Sequence, residues 1–153
     1  MSHLVVIKAG TVLLLLEAIY PTVVHFSGHG AQSGELALLN PDGTTKIVSK
    51  EAISMAMSTA SDTIRLVVFN ACFSEVQAQS VVDYVDAAIG MSTSIGDEAA
   101  CVFASQLYSA IGFGLSLQTA FRQAIAQLML EGIREKNTPK LYVKNGLDAN
   151  DII

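Results

Sequence analysis

Four consecutive apolar residues, Leu66, Val67, Val68 and Phe69, stop abruptly at Asn70-Ala71-Cys72. An apolar run without polar alternation suits a strand covered on both faces, which is the environment of a parallel sheet. A second stretch has the same form: Val23, Val24, His25 and Phe26 lead into Ser27-Gly28-His29-Gly30. Open α/β sheets bind their ligands beyond the carboxyl ends of such strands. Two of them side by side in parallel would bring Cys72 and His29 to one sheet edge, the pairing that a base-activated thiol requires.

The remaining segments agree with an α/β sheet carrying helices on both faces. Leu4 to Ala9 reads as a strand, broken by Gly10-Thr11, and Thr11 is placed to cap a core helix to about Ile19. Glu35 to Leu39 and Thr45 to Val48 flank Asn40-Pro41-Asp42-Gly43, a turn signal that predicts a small hairpin. Ser49 caps a predicted helix to about Thr59, and another runs from about Glu75 to Val85. Ala87 to Met91 is a short apolar strand, followed by a loop over 92–96. A helix then runs from Asp97 through Ile111, and the Asp97 carboxylate suits the dipole at its start. Ser116 or Leu117 opens the next helix, to about Gly132, and Leu141 to Lys144 is the last strand.

With 153 residues, the chain favours one domain over its whole length, 1–153. Hydrophobic residues make up 51% and charged ones 15%, which argues against disorder. A net charge of −5 offers no basic field for nucleic acid. The apolar run Val12 to Ile19 is too short to span a bilayer and Glu17 interrupts it, so neither a membrane nor a signal peptide is expected. Two cysteines make no disulfide framework, which points to a reducing, cytoplasmic compartment. No close pair of metal ligands occurs, so no metal and no cofactor are expected.

An isolated cysteine thiol, with a pKa near ~8.5, is mostly protonated at neutral pH, so it needs a base to become a nucleophile. His29 is the candidate base for Cys72, and Gly28 and Gly30 would let the backbone approach a substrate closely. The bland alternatives are a buried hydrophobe for Cys72 and a satisfied loop residue for His29. Their shared strand-end position and the flanking glycines weigh against both. His25 lies within its strand and reads as structural, His3 carries no inference, and Cys101, amid Ala99, Ala100, Val102 and Phe103, reads as core packing. Neither a G-x-S-x-G elbow nor a G-x-G-x-x-G fingerprint is present.

VVHFSGHG at 23–30, LVVFNACFS at 66–74, AAIGMSTSIGDEAACVFASQLYSAI at 87–111 and PKLYVKNGLDA at 139–149 together resemble the CHAT group of caspase-like cysteine peptidases, related to caspases and separases. The resemblance covers almost the whole chain from Thr22 onward. It implies a caspase-like three-layer sandwich with a mostly parallel central sheet. It carries His29 over as base, Cys72 as nucleophile, and the backbone N–H groups of Gly30 and Cys72 as oxyanion donors. Arginine-specific relatives place an acid in the loop after the strand that follows the cysteine. Asp97 matches that place, with Glu98 and Asp42 behind it, so Asp97 has two readings, helix cap and acidic S1 wall. The family's fold usually opens with one strand before the one matching Leu4 to Ala9. The resemblance therefore implies a sheet lacking its first strand, in a truncated fragment or a chain completed by a partner segment.

Two functions stay open on the sequence. One is a cysteine endopeptidase cutting a protein or peptide substrate after a basic residue, gated by a regulatory domain or partner chain in a bacterial stress or defence pathway. The other is an inactive caspase-like interaction or assembly module. A sheet lacking a strand would also expose edges that favour self-association.

Overall fold

The computed structural model describes the backbone of residues 4–7, and residues 16, 21–40, 42–60 and 62–153 in full. Leu16 is helical and buried. The rest of the expected first helix, its Thr11 cap and the end of the first expected strand lie outside the described residues.

The main sheet takes β1 (Leu4–Ile7), β2 (Val23–Ser27), β6 (Leu66–Asn70), β7 (Ala87–Met91) and β8 (Pro139–Val143), in the order β1-β2-β6-β7-β8. The first four run parallel, and β8 closes the series antiparallel to β7. Among the described residues four full helices flank it: α1 (Lys50–Thr59), α2 (Glu75–Val81), α3 (Asp97–Gly112) and α4 (Leu117–Leu130). The Ser49 and Ser116 hydroxyls cap α1 and α4 by accepting from Ala52 N–H and Thr119 N–H, each satisfying a donor that the first turn leaves orphaned.

Alternate strand residues enter two separate cores. Val24, Phe26, Val67, Phe69 and Ala88 pack with Ile53 and Met57 of α1 and Ala78 and Val81 of α2. Val23, Leu66, Val68, Ala87 and Ile89 pack with Phe103 and Leu107 of α3 and Ala124 and Leu128 of α4. The central strands are thus buried on both faces, and the architecture is a three-layer α/β sandwich. Phe26 sits opposite Phe69 in the β2–β6 ladder, with ring centroids 5.1 Å apart and planes within 9°. Such a pair adds about 1 kcal/mol beyond area burial and favours this register over a slipped one.

The expected hairpin is present as β4 (Leu36–Leu39) and β5 (Thr45–Val48), but it belongs to a larger unit. His29–Gly30 forms a short strand, β3, antiparallel to β4, so a second, three-stranded sheet grows out of the end of β2. Leu36 and Leu38 enter the α1–α2 core from it. Helix α2 ends at Val81, earlier than expected, with the chain turning through Tyr84 and Val85. Strand β8 starts at Pro139, two residues early.

Candidate functional site

The register of β2 on β6 pairs Ser27 with Asn70, so both strands end at the same level. The two motifs then continue side by side. A methyl group built on Gly30 would stand 1.8 Å from the Cys72 carbonyl oxygen, so the Gly30 α-carbon lies against the Cys72 backbone at a distance only glycine allows. Gly28 is also held against backbone, less closely, with the same hypothetical carbon 2.4 Å from the Ala37 carbonyl of β4.

Cys72 itself is half-buried on a sharp turn between β6 and α2. The next residue, Phe73, has φ of +55°, a left-handed conformation costing a side-chain-bearing residue about 1–2 kcal/mol. The surroundings hold it there. Phe73 N–H donates to Thr93 O at 3.1 Å. The buried Ser74 hydroxyl lies 2.9 Å from Phe69 O and 2.6 Å from Ala71 O and accepts from Met91 N–H at 3.0 Å. Gly90 leaves room for the turn, since a side chain there would meet Ser74 O at 2.5 Å. Asn70 anchors the strand end to α3 by donating to Ala100 O at 3.2 Å, while its buried amide oxygen has no partner among the described residues.

The Cys72 sulfur faces the loop after β7. It donates to Ile95 O at 3.6 Å and accepts from Ile95 N–H at 3.4 Å. That loop is tied down elsewhere by Ser92, whose N–H and hydroxyl donate to Thr138 O at 2.9 and 3.1 Å. No hydrogen bond joins the side chains of His29 and Cys72. His29 is exposed and lines a cleft of about 390 Å³ with Ala31, Glu35, Ala37 and Ile47.

Asp97 is exposed at the first helical position of α3, two residues beyond Ile95. The N-cap is Gly96, with no side-chain cap bond, so the capping reading of Asp97 is corrected to a first-turn acid at the helix dipole. Glu98 is likewise exposed in that turn. Asp42 sits in the hairpin turn, where its carboxylate accepts from Thr44 Oγ1 at 2.6 Å and Thr44 N–H at 2.9 Å. Those bonds hold its carboxyl below the ordinary range, and they give it a turn-making role.

His25 is buried, and its Nδ1 lies 2.6 Å from the Tyr108 hydroxyl of α3. Burial pushes its pKa down to about 4 and pushes that of Tyr108 up. Cys101 is exposed, which corrects its expected place in the core. The buried face of α3 carries Ala99, Phe103, Leu107 and Ala110, and a residue two positions from Ala99 falls on the opposite side of the helix. The roles of Phe73, Ser74 and Ile95 are absent from the sequence reading. A glycine inside an apolar strand, as at Gly90, is the sequence feature that goes with so close a backbone approach. Among the described residues no group of three metal-ligating side chains forms, and no helix is long and apolar enough to cross a membrane.

No protein-family model matches the chain, and no curated protein sequence matches it. Among solved structures, the chain is similar to the Arg-specific cysteine proteinase gingipain R, with a TM-score of 0.65 at 8% identity over 92% of this chain and 35% of that one. A secreted C11 cysteine protease from Bacteroides thetaiotaomicron, solved with an irreversible peptide inhibitor, aligns with a TM-score of 0.49 at 17% identity, over 80% of this chain and 39% of that one. The chain thus spans little more than a third of the length of either. The first likeness shows the fold, an α/β sandwich of the caspase-like kind.

Proposed function

We propose that this caspase-like chain is a cysteine endopeptidase, with Cys72 as nucleophile and His29 as general base. One observation carries the reading: the Gly30 α-carbon lies against the Cys72 backbone, so the two motifs meet at the end of one strand pair. His29 takes the thiol proton and the sulfur attacks the substrate carbonyl. Backbone N–H groups of Gly30 and Cys72 hold the developing oxyanion, each worth about 3–4 kcal/mol when lost. Collapse breaks the C–N bond, and His29 returns its proton to the leaving amine. Water, deprotonated by His29, then hydrolyses the thioester and frees the thiol.

Asp97 is the proposed acid of the P1 pocket, selecting arginine over lysine by bidentate pairing. Its place two residues after Ile95, the backbone partner of the sulfur, supports this. The CHAT-group resemblance adds a bacterial stress or defence setting and a regulatory module or partner chain. A rival reading, an inactive interaction module, draws on the lack of a hydrogen bond between His29 and Cys72.

A peptidyl chloromethyl ketone with arginine at P1, followed by mass spectrometry, tests the proposal. An adduct on Cys72 that Cys72→Ala abolishes is the expected result. An adduct confined to Cys101, or none, supports the inactive module. Asp97→Asn is expected to lower kcat/KM for arginine substrates by about 30-fold, the cost of an unpaired charge at a partly desolvated site. Unchanged P1 preference in that variant removes Asp97 from the pocket.

A further inference from the structure

We infer that the outer face of the second sheet is the subsite for the substrate residue on the amine side of the scissile bond, and that it selects lysine or arginine there through Glu35. The inference rests on the peptidase reading above and deepens it.

Strand register sets the geometry. His29 lies opposite Ala37, and Ala37 lies opposite Ile47. Directly opposed residues of antiparallel strands share a face, so the three form one row across the sheet. Glu35 precedes Ala37 by two residues and falls on the same face by the two-residue period of an extended chain. The alternate residues Leu36 and Leu38 are each 1% exposed and fill the core on the other side. The row is therefore the outer face of a braced platform, and it lines the cleft of about 390 Å³ that begins at His29.

The lining specifies the occupant. Ala37 is half-buried and Ile47 is 57% exposed, which provides an apolar floor. Glu35 stands at its rim, and among the described residues its carboxylate accepts from the Ser33 hydroxyl alone, at 3.3 Å. Among the described residues the one ion pair is Arg65 with Asp86, so the Glu35 carboxylate has no cationic partner there. A side chain with an aliphatic stem and a cationic head satisfies both parts, its stem on Ala37 and Ile47 and its head at Glu35.

Catalytic chemistry assigns the side of the bond. The base that takes the thiol proton returns it to the leaving amine, so that amine forms next to His29. The residue carrying it then lies in the cleft that His29 lines. Asp97 stands at the start of α3, which packs on the opposite face of the main sheet from the core that Leu36 and Leu38 enter. The two acids thus flank the sheet edge from opposite faces, and with Asp97 as the proposed P1 acid a pair of basic residues is the substrate that suits both.

Internally quenched peptides of one sequence, varied only at P1′ among lysine, arginine, norleucine and glutamate, test this. The wild-type chain is expected to cut the lysine and arginine peptides about fivefold faster in kcat/KM than norleucine, the scale of an exposed ion pair, with glutamate slowest. Glu35→Lys is expected to reverse the order of the lysine and glutamate peptides, and Ile47→Ser to slow the lysine and norleucine peptides alike. Melting temperatures of both variants close to wild type place the change in the cleft. Cleavage with a P1′ order that Glu35→Lys leaves unmoved overturns this inference alone. No cleavage of any peptide, together with no ketone adduct on Cys72, overturns the peptidase reading and this inference with it.

Discussion

His25 and His29 stand four residues apart on one stretch of chain, yet their surroundings are opposite. His25 lies inside the strand, 7% exposed, against Tyr108, and burial pushes its pKa down to about 4. His29 lies past the strand end, exposed, on a second sheet whose neighbour Gly30 abuts Cys72. The cysteines divide in a similar way. Cys72 occupies a strained, braced turn at the sheet edge, while Cys101 rides on the solvent face of a helix. Inside the sheet a polar side chain is committed to packing. At the carboxyl edge the strands end, and the backbone is fixed while its side chains are left at least partly open to solvent.

The largest expected effect asks whether the edge alone carries the chemistry. Cys72→Ala and His29→Ala are each expected to lower peptidase turnover by about 10⁴-fold or more, since members of such a unit fail together. Cys101→Ala and His25→Phe keep turnover within a few-fold. A folded His25→Phe protein as inactive as His29→Ala would break the comparison.

A smaller effect sharpens it through the backbone. Gly30→Ala forces a carbon onto the Cys72 carbonyl, and the strand ends must separate. Overpacking of this kind costs about 3 kcal/mol or more where only backbone can yield. Gly112→Ala, at the end of α3 with nothing within 4 Å, is expected to be neutral or slightly stabilising. Urea midpoints of the two variants make the measurement. Equal midpoints would mean that the junction between the motifs is loose.

Acid provides a third test, confined to the strand interior. The folded chain binds a proton at His25 only near pH 4, whereas the unfolded chain binds one near 6.5. Between those values the unfolded state holds more protons, so this contribution is full above pH 6.5 and is lost as pH falls toward 4. The loss amounts to about 3 kcal/mol. His25→Phe should flatten that part of a stability–pH profile measured by urea unfolding. Tyr108→Phe, the mildest change, costs about 1 kcal/mol by removing one hydrogen bond.

The apolar runs at 23–26 and 66–69 made the central strands legible, because burial on both faces leaves no polar alternation to misread. Their common carboxyl ends made the adjacency of the two motifs legible, and the Gly30 α-carbon does lie against the Cys72 backbone. Other features depend on contacts between distant residues. The antiparallel direction of β8 was hidden, since a single short strand carries no mark of its partner's direction. His29–Gly30 looked like loop because its strand character comes from pairing with Leu36 and Ala37. Cys101 was misplaced by counting apolar neighbours along the chain, when helix period decides which of them face inward. Asp97 stood close to a cap position, but the cap fell on Gly96, one residue earlier, a distinction finer than sequence pattern resolves.

The two contacts between Ile95 and the Cys72 sulfur have a further consequence. Under the proposed chemistry, acylation replaces the S–H with a thioester, which can still accept from Ile95 N–H but has nothing to donate to Ile95 O. The loop after β7 therefore loses one of its two ties to the sulfur at the moment the acyl group arrives. That loop leads directly into Asp97. Occupancy of the nucleophile and the position of the proposed P1 acid are then linked quantities, and such linkage runs equally in both directions. A ligand that draws Asp97 toward itself also changes how firmly the sulfur is held.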